Sequence, residues 1–245
     1  MHTPISLLCL PYAGASAMTY MRWRHLLPSW VRVVPLELPG RGTRMREPAC
    51  EDFMQLTSRL YDDYAHMLSG RYALFGYSTG ALLAYGMACH VHANGGTLPL
   101  GLLVGASGPA VCRNAQKCAA ADSDEPLIAD LCRQGSTPRQ VFDSPELMQR
   151  TLRVLRADYR ACNSFACMAG APLPVPIHAF GGRHDDIGIA GMDAWRRETT
   201  ARFTLDWFDG GHFFVREQEE TMLAVLVHRL AQGISGAADA VIAVA

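Results

Sequence analysis

The stretch Gly76-Tyr77-Ser78-Thr79-Gly80 constrains this chain more than any other. An apolar run, Tyr72-Ala73-Leu74-Phe75, precedes it, and a helix-like run from Ala81 to His92 follows. The pattern predicts a strand, a sharp turn with a serine at its tip, then a helix. The small residues flanking the serine have a steric purpose, because without Cβ atoms the strand and helix backbones can approach closely. A serine so presented stands above the sheet edge. The helix starting beneath it turns free N–H groups, and the positive end of its dipole, toward any negative charge that develops there. The same pattern occurs in ordinary turns, so the rest of the chain must decide between a nucleophile and a plain loop.

Other buried strands are predicted at Ile5–Leu10, Val31–Leu38, Leu100–Val104, Pro176–Phe180 and Phe203–Phe208, each closed by Pro or Gly. Helical periodicity covers about Ala17–Leu27, Phe53–Leu68 and Glu217–Leu230, the last with Leu223, Leu226, Val227 and Leu230 as its apolar stripe. Short apolar strands alternating with helices indicate a mainly parallel central sheet flanked by helices on both faces. The region Val111–Leu173 breaks this rhythm, being far longer than one crossover helix. Within it Glu146–Cys162 reads as a helix, with Ser144 as N-cap, Pro145 at its first position and Met148, Leu152, Leu155 and Tyr159 along one face. Either an ordinary packing helix or a lid over the serine fits that face.

With 49% apolar and 18% charged residues in 245, the chain can bury a large core as one domain. A net charge of −1 and the lack of basic runs give no reason to expect nucleic acid or an anionic membrane as partner. The eight cysteines, none in a Cys-x-x-Cys pair, read as free thiols, and no metal site is expected. The start lacks a basic segment and a long apolar stretch, and no run approaches the roughly 18 apolar residues of a membrane span. A cytoplasmic protein is expected.

A serine at such a turn becomes a nucleophile only when a base takes its proton. In hydrolytic sites built on this turn, serine, acid and histidine follow in that chain order, each after a strand. Of nine histidines, only His212, in Gly210-Gly211-His212-Phe213-Phe214, lies in a turn just after the final strand. The others read as surface or core residues. The acid should follow the preceding strand, where Gly181-Gly182-Arg183-His184-Asp185-Asp186 offers two carboxylates. Asp185 is preferred and Asp186 stays open, since sequence does not fix which one points inward. Thr79, next after the serine, and Ala13, in the loop after the first strand, are the candidate backbone N–H donors to an oxyanion.

Five segments together resemble type II (external, editing) thioesterases of nonribosomal peptide and polyketide synthesis, members of the α/β-hydrolase superfamily. They are Leu10-Pro11-Tyr12-Ala13-Gly14, Leu38-Pro39-Gly40-Arg41-Gly42, the Gly76–Gly80 turn, Gly182–Asp185 with Ala194-Trp195-Arg196, and Gly210–Phe214. The likeness spans about Ile5–Gln232. Two departures stand out. The family's turn usually reads Gly-His-Ser-Met-Gly, where this chain has Tyr77 and Thr79, and the segment from Asp185 to Trp195 is slightly short.

The resemblance implies an α/β-hydrolase fold over residues 1–232 with an inserted helical lid at about 111–173; the small, apolar residues of 233–245 read as a flexible tail. It also implies hydrolysis of acyl or aminoacyl thioesters from the phosphopantetheine arm of a carrier protein, to clear misprimed or stalled units. The enzyme would need no cofactor or metal of its own and would act as a monomer. Acidic carrier helices could meet Arg22, Arg24, Arg41, Arg44 or Arg46, each of which also fits a solvated surface role. A carboxylesterase or acyl-CoA thioesterase, or a non-catalytic binding protein of the same fold, remains an alternative.

Overall fold

The computed structural model of the chain describes residues 4–109, 123–135, 137–165 and 171–242. Six strands form one parallel sheet: β1 (Ile5–Leu10), β2 (Val31–Pro35), β3 (Tyr72–Tyr77), β4 (Leu102–Gly105), β5 (Ile177–Gly182) and β6 (Phe203–Phe208). Their spatial order is β2-β1-β3-β4-β5-β6. The helices are α1 (Trp23–Leu26), α2 (Phe53–Tyr64), α3 (Thr79–Ala93), α4 (Asp124–Gln134), α5 (Arg139–Asp143), α6 (Pro145–Ser164), α7 (Gly188–Asp193), α8 (Phe214–Glu217) and α9 (Glu219–Ile242). The parallel α/β architecture expected from the alternation of strands and helices is the one found.

The period-two alternation of the strands divides the core between two faces. Leu8, Leu10, Tyr72 and Leu74 face α2 and α3 in one apolar cluster. Ile5, Leu7, Cys9, Ala73, Phe75 and Tyr77 face the other cluster, with Tyr20, Trp23 and the α9 residues Met222, Leu223, Leu226 and Leu230. Helix α3 is buried on nearly every side, in keeping with its all-round apolar sequence. A smaller cluster joins Leu127 and Leu131 of α4 and Leu152 and Leu155 of α6 to Ala13, in the loop after β1.

Three elements differ from their expected form. The helix anticipated over Ala17–Leu27 is a 3-10 turn (Ala17–Tyr20) followed by the single turn of α1. Tyr20, the last residue of the 3-10 turn, and Trp23, the first of α1, are both buried with ring centroids 4.7 Å apart. Strand β2 stops at Pro35, three residues short of Leu38. Helix α9 continues past Gln232 to Ile242, where a flexible tail was expected from residue 233. Gly233 and Gly236 weaken a helix without stopping it, and no proline intervenes. Helix α6 covers the expected Glu146–Cys162, with the Ser144 Oγ accepting the Leu147 N–H at 3.4 Å. The parts of the anticipated insert at 111–122, 136 and 166–170 lie outside the described residues.

The sheet order reverses beside β1: the chain runs from β1 outward to β2, then returns to the other side of β1 with β3. At such a switch point the loops after the two strands diverge and leave a crevice at their C-terminal ends. The loop after β1 and the serine turn after β3 border that crevice.

Candidate active site

Ser78 caps α3 with φ 55° and ψ −117°, one of two non-glycine residues with positive φ among those described. Such a conformation costs on the order of 1–3 kcal/mol and persists only where the surroundings impose it. Two glycines make it possible. A Cβ on Gly76 would lie 2.0 Å from the Gly80 carbonyl oxygen, and one on Gly80 would lie 2.3 Å from that of Leu10. The Ser78 N–H donates to Gly105 O at 2.8 Å, tying the turn to β4.

His212 comes from the turn after β6 and Asp185 from the turn after β5. The His212 Nε2 lies 3.1 Å from Ser78 Oγ, and its Nδ1 lies 2.9 Å from Asp185 Oδ2. A neutral ring donating from Nδ1 to the carboxylate leaves the Nε2 lone pair to accept the serine O–H. The Asp185 side chain is 3% exposed and the His212 ring 36%, so the acid is sealed while the base faces the crevice. The second Asp185 oxygen accepts the Ile187 N–H at 3.4 Å. Of the two adjacent carboxylates, Asp185 is the one bonded to the histidine.

The turns bearing acid and base brace each other, since His184 N–H donates to Gly210 O at 3.0 Å and Arg183 N–H to Phe208 O at 2.9 Å. The Tyr77 hydroxyl donates to the His212 carbonyl at 2.6 Å. Burial pushes this phenol well above its ordinary pKa, with the nearby Asp185 and Glu217 charges adding to the effect, so the donor keeps its proton. Phe213 packs edge-on against both Tyr12 and the His212 ring, at 5.2 and 5.1 Å between centroids. The departure from the family pattern at Tyr77 does not by itself disclose this role. The signal was there: a residue one before the serine, at the end of a buried strand, points away from the serine and toward the neighbouring loops.

Thr79 is the first residue of α3, and Ala13 sits in the loop after β1; both are buried. That loop is held by a pair absent from the sequence expectations. Asp158 of α6 accepts the Gly14 N–H at 2.8 Å and a bidentate contact from Arg41, whose Nη1 lies 2.7 Å from Oδ2. Both side chains are buried.

This corrects the expectation that Arg41 could meet a carrier. The Arg-Gly loop after β2 folds beneath α6, and the guanidinium is inaccessible. Arg44 is also engaged, with Glu47 at 2.7 Å and Asp63 at 2.6 Å; Arg22, Arg24 and Arg46 are exposed, though Arg22 pairs with Glu219 at 3.0 Å and Arg24 donates to Val33 O at 3.3 Å. Asp158 was legible in principle. It flanks the apolar stripe of α6, and a carboxylate so placed must find a partner. Among the described residues, no group of His, Cys, Asp and Glu is arranged to hold a metal ion, and no helix is long and apolar enough to cross a membrane.

The thioesterase domain family model matches residues 5–231. The gramicidin S biosynthesis protein GrsT of Aneurinibacillus migulanus is 30% identical over 232 residues, covering 92% of this chain and 89% of that one. Among solved structures, the RedJ thioesterase from the prodiginine pathway of Streptomyces coelicolor superposes with a TM-score of 0.86 at 34% identity, over 92% of this chain and 90% of that chain. The type II thioesterase BorB from the borrelidin biosynthetic cluster gives 0.82 at 34% identity, over 94% of each.

Proposed function

Since the chain belongs to the thioesterase domain family, we propose that it hydrolyses acyl and aminoacyl thioesters on phosphopantetheinyl carrier proteins through an acyl-serine on Ser78. The observation that carries the reading is the hydrogen-bonded series Ser78–His212–Asp185, closed at 3.1 and 2.9 Å. His212 takes the serine proton as Oγ bonds to the thioester carbonyl carbon. The carbonyl oxygen becomes an oxyanion, stabilised by the N–H groups of Thr79 and Ala13. Collapse breaks the C–S bond, and the imidazolium returns its proton to the departing pantetheine sulfur. Water, deprotonated by His212, then releases the acid and restores Ser78. Asp185 holds the imidazole tautomer and stabilises the imidazolium without itself becoming protonated.

The relatives support the carrier as substrate bearer, being named for gramicidin S, prodiginine and borrelidin biosynthesis. The reading is of an editing enzyme that clears misprimed or stalled units, working as a monomer in the cytoplasm without a cofactor of its own. Rates on an acyl carrier protein and on the same acyl group as a pantetheine or coenzyme A ester test it. A preference for the carrier-bound form is expected, and equal rates would return the assignment to an esterase or acyl-CoA thioesterase.

A further inference from the structure

We propose that Asp158 and Arg41 are positioning residues for the oxyanion site: together they fix the peptide planes that aim the Ala13 N–H. The inference rests on the serine-hydrolase reading above and adds to it how the donor loop is held. The loop Tyr12–Ala15 lies outside the sheet, so β pairing does not set its peptide orientations.

Three bonds hold it instead. Asp158 Oδ2 accepts the Gly14 N–H at 2.8 Å and so anchors the Ala13–Gly14 peptide. Arg41 Nη1 donates to Ala15 O at 3.1 Å and anchors the Ala15–Ser16 peptide. Between them the Ala15 N–H donates to Tyr12 O at 3.0 Å. Tyr12 C=O and Ala13 N–H belong to one planar trans peptide, so a bond to the carbonyl also sets where the N–H points, on the opposite side.

Arg41 and Asp158 hold each other as well as the loop. Arg41 Nη1 meets Asp158 Oδ2 at 2.7 Å, and Nη2 bonds Oδ1. Their side chains are 7% and 6% exposed, and Arg41 Nε is buried with no acceptor. An apolar pair of similar volume would avoid both the desolvation and the orphaned donor. It could not accept the Gly14 N–H or donate to Ala15 O. Asp158 lies on α6, whose Leu152 and Leu155 pack with Ala13 itself. The inserted helix therefore sets the donor loop by both packing and hydrogen bonding.

The test compares wild type with Asp158→Asn, which keeps shape and loses charge, and with Arg41→Met combined with Asp158→Leu, which leaves no buried charge unpaired. Butyryl-pantetheine hydrolysis gives kcat and KM, and a butyl trifluoromethyl ketone, which forms a tetrahedral adduct with serine, gives Ki. Rates are expressed per site titrated to completion with a fluorophosphonate, so unfolded protein does not count. Misaiming an oxyanion donor should lower kcat by roughly tenfold or more in the double variant, with a matching rise in Ki and KM within about twofold. Asp158→Asn should fall between it and wild type. Unchanged kcat and Ki per titrated site, or a change in KM alone, would overturn the assignment. Failure of the wild type itself to label at Ser78 would instead overturn the hydrolase reading on which it rests.

Discussion

Ser78 depends on side chains that are remote in sequence and specific in geometry. Exchanging Asp185 for Asn should lower kcat by roughly two orders of magnitude or more, because the amide no longer enforces the tautomer or stabilises the imidazolium. Asp186→Asn should stay within about threefold of wild type, since Asp185 holds the contact to His212. Steady-state kinetics on the two variants checks the pair. Tyr77→Phe removes only the hydroxyl that holds the His212 carbonyl. Loss of about 1 kcal/mol of orientation should reduce kcat roughly five- to tenfold with little change in KM. The order serine, acid, histidine was legible in the chain, but the choice between Asp185 and Asp186 was not. The turn that carries Asp185 is braced by the 3.0 Å bond from His184 N–H to Gly210 O, in the turn after β6, which follows later in the chain. No local pattern encodes it.

At the scale of elements, the serine turn is the most steeply constrained. Gly76→Ala puts a methyl group 2.0 Å from a backbone oxygen of the turn itself, where no side chain can yield. The variant should be destabilised by more than about 2 kcal/mol, read as a lowered midpoint in urea unfolding, and should lose activity even where folded. The strands were legible because each is an apolar run closed by Pro or Gly, and the long helices because their stripes repeat at helical spacing. The segment Ala17–Leu27 was not, since its two short turns place Tyr20 and Trp23 against Phe75, on a strand that comes later in the chain. The clamp between Asp158 and Arg41 joins two elements that the sequence separates widely: the position of Asp158 beside an apolar stripe shows that it needs a partner, but not that Arg41 is the one.

Over the whole molecule, the parallel sheet and its reversal beside β1 gather three turns and one loop at one edge, from Ala13 to His212. A parallel architecture followed from the alternation of elements, while the strand order is a property of long-range packing that composition does not carry. The same packing buries His178 of β5, whose Nδ1 lies 2.8 Å from Thr204 Oγ1. Burial, then the Arg229 and Arg202 charges, push it down to about 4 from an ordinary 6.5. The unfolded chain binds this proton more readily. Its contribution is therefore fully present above pH 6.5 and lost as pH falls toward 4, by up to about 3 kcal/mol. Between pH 7.5 and 5 the melting temperature of wild type should drop further than that of His178→Gln. The mechanism proposed for Ser78 requires a covalent acyl-serine intermediate. Rapid quenching of the enzyme with an acyl carrier protein, followed by peptide mass spectrometry, tests it most directly. The acyl group's mass is expected on the peptide bearing Ser78 and not in Ser78→Ala. Turnover of the thioester at near wild-type rate by Ser78→Ala, or an acyl group found on another residue, would contradict it.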